Sequence, residues 1–384
     1  MTSPLRTLNE LGQSVWLDDL RRDFLVDGTL AALIDQDGVS GLTSNPAIFA
    51  NALDTTDLYD ADIERYARRG DDAETIYERL IIDDIQQAAD LLRPRYEATS
   101  AYDGYVSLEV SPHLATDAAA TLKEGKRLWS QVERPNLMIK VPATNAGLPA
   151  IEALIAAGIN VNVTLLFSVN RYRDVLAAYW RGLEARVADG HSIARVASVA
   201  SFFVSRIDAL IDRQLESEPA CMATGIRGKA AIACAKLAYQ AFRASLDDPR
   251  WQALAGVRAQ PQRLLWASTG TKDAAYSDVK YVEALIGPDT VTTLPMGTLQ
   301  AYRDHGEPQS RVANGMDWAA ATLSQLAALD IDLDDAARQL EREGIEKFKT
   351  PFDRLIAKID GTREQIVADR SGHLQQNADE PSRP

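Results

Sequence analysis

"NLMIKVPAT", residues 136–144, sets one lysine inside an apolar run. Lys140 has Leu137, Met138 and Ile139 on one side and Val141 and Pro142 on the other, with no adjacent charge. A run this short and this uniformly apolar suits a strand buried on both faces, as in a parallel sheet; a half-exposed strand would alternate. In a strand Lys140 shares a face with Met138 and Pro142. Neither side of such a strand welcomes an ammonium ion, so the lysine needs a reason.

Seven more runs of this kind occur: "SVWLDD" (14–19), "VSGLTSN" (39–45), "GYVSLEVS" (104–111), "NVNVTLLF" (160–167), "VASVASFFV" (196–204), "RLLWAST" (263–269) and "TVTTLPM" (290–296). Segments with helical spacing separate them, such as "TDAAATLKEGKRLWSQV" (116–132) and "AGLPAIEALIAAG" (146–158), where Gly158 is placed to end the helix. Eight strands alternating with helices predict an α/β fold, a (β/α)8 TIM barrel with additional helices. An open doubly wound sheet is the alternative, weakened because no glycine-rich dinucleotide turn follows the first strand. Residues 51–100 and 205–262 hold more helix than a barrel step needs, and further helices are expected from about 317 to 359. Residues 1–360 therefore read as a single barrel domain and 361–384 as a frayed polar tail.

The chain has 384 residues, 46% hydrophobic and 25% charged, with net charge −14. This composition fits a globular protein with a large core. The acidic balance disfavours nucleic acid and anionic membranes as partners, without forbidding an anionic substrate in a locally basic cleft. Monomer and homodimer both remain open. Two cysteines, Cys221 and Cys234, are too few for a disulfide framework and read as buried free thiols in a reducing compartment. The start "MTSPLRTLNELGQS" lacks the build of a signal peptide, and no apolar run reaches membrane-spanning length, so a cytoplasmic location is expected.

For Lys140 the ordinary reading is a packed stem whose amine reaches water or a carboxylate. The functional reading is an amine whose burial disfavours the charged form, free to attack a carbonyl and form a Schiff base. Position favours the second. Pro142 ends the strand, which places Lys140 near the C-terminal end, where barrel active sites gather. Polar residues stand at other strand ends: Asp18 and Asp19; Thr43, Ser44 and Asn45; Glu109; Asn160, Asn162 and Thr164 at alternate positions; Ser198 and Ser201; and "STGTKD" after strand seven. One buried polar group is a core hydrogen-bond device; so many on neighbouring strands line a site.

The segments "GLTSNPAIF", "VSLEV", "LMIKVPAT", "INVNVTLLFS" and "SFFVSRID", in this order between residues 10 and 300, resemble the transaldolases, Schiff-base enzymes of the pentose phosphate pathway, and most closely their long actinobacterial-like form. The resemblance implies a (β/α)8 barrel that transfers a dihydroxyacetone unit from sedoheptulose 7-phosphate or fructose 6-phosphate to glyceraldehyde 3-phosphate or erythrose 4-phosphate, with no cofactor and no metal. It places the nucleophile at Lys140, the proton shuttle at Glu109 and Thr164 around a water, and the base for the C4 hydroxyl at Asp18. Asp19 is the alternative if the strand end shifts by one, its ordinary role being a helix cap. Asn45, Asn162 and Ser201 would bind sugar hydroxyls, and Arg206 the phosphate. The shorter relatives carry a second arginine after strand seven; here Ser268, Thr269, Lys272 and the Gly270 turn stand in its place. Phe203 matters because the similar fructose-6-phosphate aldolases usually carry tyrosine there, and a ring without a hydroxyl favours group transfer over release of free dihydroxyacetone.

Three other readings are weighed. A metal-dependent aldolase needs clustered ligands, and His113, His191, His305 and His373 are scattered. Another Schiff-base aldolase, such as a fructose-6-phosphate aldolase, would differ in its products. An inactive barrel acting as a binding protein sits poorly with Lys140, Glu109 and Asp18 together.

Overall fold

The computed structural model describes residues 3–216 and 225–378. Eight parallel strands close a barrel in sequence order: β1 (Gln13–Leu17), β2 (Val39–Thr43), β3 (Val106–Glu109), β4 (Leu137–Pro142), β5 (Val161–Leu166), β6 (Ser198–Phe203), β7 (Arg263–Ala267) and β8 (Thr290–Leu294). β1 pairs with β8 from Gln13↔Thr290 to Leu17↔Leu294, which rules out the open sheet. Every strand residue is buried, so both faces of each strand are covered and no alternation survives in the sequence.

Local chemistry sets the joints. The helix Gly147–Ala156 ends where Gly158, at φ +84°, takes the left-handed conformation, with Ile159 N–H bonded back to Leu154 O at 3.0 Å. A Cβ at Gly41 in β2 would stand 2.4 Å from the Trp16 indole, so only glycine lets that ring into the barrel. At the N-terminal end of the barrel Asp103 accepts hydrogen bonds from Ser14 Oγ (2.7 Å) and Trp16 Nε1 (2.9 Å), while Arg263 donates to Ser14 Oγ (2.7 Å) and Tyr102 O (2.8 Å). This satisfied polar floor leaves the opposite end for chemistry.

The extra helix falls in the two expected spans. Helices Pro46–Thr55, Asp60–Arg69 and Ala73–Ala98 lie between β2 and β3, and Ser205–Glu216, Ala230–Ser245 and Pro249–Gly256 between β6 and β7. After β8 come Met296–His305, Met316–Ala328 and a long helix, Leu333–Ala378, that passes over the C-terminal end of the barrel. Where the polarity of the sequence suggests fraying from residue 361, the backbone remains helical to Ala378. Ile366 packs on the core seven residues after buried Ile359, and Arg363 pairs with Asp360 at 2.7 Å, so this stretch has both an apolar contact and a local ion pair. Cys234 is a buried free thiol; Cys221 lies outside the described residues. Among the described residues no helix is long and apolar enough to cross a membrane.

Candidate active site

Strand register assembles the centre. β3 and β4 pair Glu109 with Lys140, and β4 and β5 pair Lys140 with Asn162 and Pro142 with Thr164. Lys140 is 4% exposed. Its Nζ donates to the carbonyl of Ser44 at 3.1 Å and lies 3.1 Å from Glu109 Oε2. The second contact is an ion pair off the direction of a hydrogen bond, so both Glu109 oxygens are buried without a hydrogen-bond partner among the described residues. Thr164 Oγ1 is in the same condition. Burial raises the Glu109 carboxyl above the usual range, with Lys140 opposing. A buried carboxyl compensated by the Lys140 charge but with acceptor capacity to spare, beside a free hydroxyl, is an arrangement that a bound water or substrate would complete.

Around Nζ is a cavity of about 160 Å³. Asp18, Asn45, Thr164, Ser201, Phe203 and Arg206 line it, joined by Ser268 and Lys272 at the β7 side. β1 stops at Leu17, so Asp18 is the first residue past the strand; it enters the cavity and accepts a hydrogen bond from Thr43 Oγ1 at 2.7 Å. Asp19 is not among the lining residues. It caps nothing either: Arg21 takes the N-cap position of the next short helix, and burial pushes the Asp19 carboxyl up to about 6, against the charge of Arg21.

Asn45 caps the helix Pro46–Thr55, its Oδ1 accepting from Ala47 N (3.0 Å) and Ile48 N (3.1 Å), which leaves Nδ2 facing the cavity. Asn162 is fully buried behind the wall: Nδ2 donates to Ser107 Oγ (2.9 Å), and Oδ1 accepts from Ser201 Oγ (2.6 Å). Asn160, just before β5, and Ser198, at the start of β6, belong to the framework. Asn160 Nδ2 donates to Leu137 O at 2.9 Å, and Ser198 Oγ to Val161 O at 2.8 Å.

Arg206 is the second residue of the helix Ser205–Glu216 that follows β6. Its guanidinium lies 5.2 Å from the Phe203 ring, and Nη1 is buried with no hydrogen-bond partner among the described residues. Desolvation pulls this group below its usual range, while Asp18 and Glu109 oppose. Lys272 is exposed at the rim. Ser268 takes the left-handed conformation at φ +56° and its hydroxyl meets Ser205 Oγ at 2.9 Å. Strain at a non-glycine residue, in the same lining as a guanidinium whose Nη1 has no hydrogen-bond partner among the described residues, fits a ligand-binding turn. Thr269 instead is buried and donates to Thr293 O. Three cations against two carboxylates make this mouth locally basic in an acidic protein.

One lining residue has no signal near the barrel motifs. Phe348, on the long helix, places its ring 5.6 Å from Lys140 Nζ and 6.0 Å from the Arg206 guanidinium, forming the roof. In sequence it reads as one apolar position of an amphipathic helix. Among the described residues no group of three or more His, Cys, Asp or Glu side chains is placed to hold a metal.

The family model described as transaldolase/fructose-6-phosphate aldolase matches residues 15–359. A transaldolase of Thiobacillus denitrificans is 49% identical over 354 residues, covering 92% of this chain and 99% of its own. Transaldolase 2 of a Nostoc species is 49% identical over 371 residues (93% and 97%), and a transaldolase of Saccharopolyspora erythraea is 48% identical over 365 (95% and 98%). With the matched span running from β1 into the long helix that roofs the cavity, the chain belongs to the transaldolase/fructose-6-phosphate aldolase family.

Proposed function

We propose that Lys140 is the covalent attachment point of a Schiff-base transaldolase reaction on sugar phosphates, carried out by residues 1–360 as one barrel unit in the cytoplasm. The observation that carries this reading is the Lys140 amine, buried at the barrel's C-terminal end, 3.1 Å from a carboxylate and open to a cavity on one side. The amine adds to the ketose C2 carbonyl, and the carbinolamine loses its hydroxyl as water. Glu109, with Thr164 and a water between them, gives the proton for that departure and takes it back on hydrolysis; acid–base help of this kind contributes about 10²–10⁴ in rate. The iminium then accepts the electron pair of the C3–C4 bond while Asp18 takes the proton of the C4 hydroxyl. The aldehyde leaves, and the three-carbon enamine stays on Lys140. An acceptor aldose phosphate reverses these steps, and hydrolysis frees the new ketose.

The hydrogen bonds around the site give each polar residue a direction. Asn45 offers Nδ2 as a donor to a sugar hydroxyl, because its oxygen is committed to the helix. Ser201 offers lone pairs, because its proton goes to Asn162; Asn162 fixes Ser201 from behind. A site that pairs hydroxyls in this way discriminates against molecules lacking them. Arg206 holds the phosphate, with Lys272 and Ser268 on the other side. Donors are sedoheptulose 7-phosphate or fructose 6-phosphate, and acceptors glyceraldehyde 3-phosphate or erythrose 4-phosphate. Phe203 supports transfer over release, since its ring offers no hydroxyl to activate water.

Borohydride reduction in the presence of fructose 6-phosphate, followed by peptide mass mapping, tests this. A reduced three- or six-carbon adduct on Lys140, absent in Lys140→Met, is expected. An adduct on another lysine such as Lys272, or full turnover by Lys140→Met, would overturn the reading.

A further inference from the structure

Glu109 borders a second space. Lys140 and Thr164 line the substrate cavity, whereas Glu109 lines a chamber of about 350 Å³ on the outer side of β3. The chamber runs between the helices Ala73–Ala98 and Ala118–Val132. Its apolar walls include Ile81, Leu128 and Phe352. Its polar groups lead outward in steps. Tyr77, which lies within reach of the Glu109 charge, and Glu124 line it, the latter accepting from Ser111 N–H at 2.7 Å. Burial holds the Glu124 carboxyl above its usual range, with Ser111 and Arg127 opposing and Glu78 and Glu74 adding to it. At the rim Arg127 pairs with Glu78 across the two helices, and exposed His113 pairs with Asp353 of the long helix at 2.6 Å.

Glu109 thus stands between the Lys140 amine, which lines the substrate cavity, and the chamber. Its side chain is almost fully buried, and its oxygens are unpartnered and closed to water in this conformation; the edge of the residue borders a polar chamber far larger than the ~10–15 Å³ that one water needs, so a small turn of the carboxyl opens it to that chamber. A ketose phosphate in the cleft, under the Phe348 ring, plugs the direct route from Nζ to solvent. Dehydration of the carbinolamine still releases one water and takes one proton from Glu109; hydrolysis consumes both.

We infer that the chamber behind β3 is a water-binding port through which Glu109 exchanges its proton and the leaving water with solvent while the sugar occupies the barrel mouth. The inference rests on the proton-shuttle role proposed for Glu109. In balance, the C2–O bond breaks, the hydroxyl departs as water with the Glu109 proton, and the iminium keeps the positive charge. The carboxylate is reprotonated from the water column in the chamber. Tyr77 and Glu124 are positioning residues for that column and touch no substrate.

The test uses the whole enzyme with fructose 6-phosphate in oxygen-18 water, without acceptor. Each reversible imine formation washes label into the C2 oxygen, read by mass spectrometry of the recovered sugar. Leu128→Trp and Ser111→Leu fill the chamber from two of its lining positions; either variant that still gives the borohydride adduct is informative. Expected is a fall of about fivefold or more in wash-in relative to transfer turnover, with ketose affinity held within about twofold. Tyr77→Phe, which keeps the volume, supplies a third variant that folds on wild-type packing, and a fall in wash-in there of about twofold or more is expected. Unchanged wash-in in a filled, adduct-forming variant, or in Tyr77→Phe, overturns the port. Glu109→Gln separates the two ideas: normal imine formation in that variant removes the shuttle itself, whereas a slow Glu109→Gln beside unaffected filled variants removes only the port.

Discussion

Truncation of the roof, Phe348→Ala, separates the long helix from the chemistry beneath it. Phe348 is 5% exposed. Loss of a fully packed phenylalanine costs about 3–5 kcal/mol. Here one face of the ring borders a cavity of about 160 Å³ in place of packed atoms, so fewer contacts are lost and about 2–3 kcal/mol is expected. The ring lies 5.6 Å from Lys140 Nζ and 6.0 Å from the Arg206 guanidinium. Both are at the outer edge of cation–π range and exist without ligand, so each adds about 0.5 kcal/mol to the stability lost and neither sets ketose affinity. Water should matter more. The three-carbon enamine survives only while protonation at carbon is slower than capture by the acceptor, and the roof excludes water from it. Without the ring, release of free dihydroxyacetone in the absence of acceptor should rise about tenfold relative to transfer. The assay is a coupled measurement of dihydroxyacetone beside a transfer assay, with the melting temperature recorded in parallel; Phe348→Leu should fall between. An unchanged ratio of release to transfer in a folded Phe348→Ala protein would refute the argument.

Glu109→Gln should slow imine formation by about 10²–10⁴, measured by stopped flow. Its stability effect has a sign: burial raises the folded carboxyl above its unfolded value, so Glu109 destabilises the fold as pH rises through the raised value, and the melting temperature of the variant relative to wild type should improve from pH 4 to pH 8. Asp19→Asn follows the same logic without the catalytic loss. A folded value of about 6 against 3.8 unfolded means that stability present below 3.8 is lost as pH rises through 6, so the variant should melt higher than wild type at pH 8, match it at pH 3.5, and keep its turnover. Arg206→Ala should raise KM for phosphorylated ketoses by at least about tenfold and leave unphosphorylated donors nearly unaffected; equal effects on both would take Arg206 out of the phosphate site.

The strands were legible because both faces of each are covered, which writes an unbroken apolar run into the sequence, and Lys140 stood out against that run. Asp18 and Asp19 could be separated only by the strand end at Leu17, which no propensity marks to one residue. Asn45 and Asn162 look alike in sequence, yet one points a free amide into the cavity while the other is spent on Ser107 and Ser201; hydrogen-bond partners across strands decide that. Phe348 could not be read, since its place over Lys140 depends on how a helix two hundred residues downstream crosses the barrel. Leu165 belongs to the same class. Its φ of +60° breaks the β5–β6 register, and its side chain lies so close to Gly344 that a Cβ there would stand 2.8 Å away. The extent of the long helix was hidden by its polarity, while the contacts after Ile359 include Ile366 on the core and the Arg363–Asp360 ion pair.

Phe348 and Phe352 are four residues apart, so they project from one side of the long helix, with Pro351 between them. The first ring sits above the lysine; the second meets Tyr77 at 5.4 Å and His113 at 5.7 Å. A designer who lifts this helix to admit a bulkier ketose also uncovers the space beside Glu109. Donor range and hydration are therefore mechanically tied, and widening one without disturbing the other calls for a smaller side chain at 348 on an unmoved backbone.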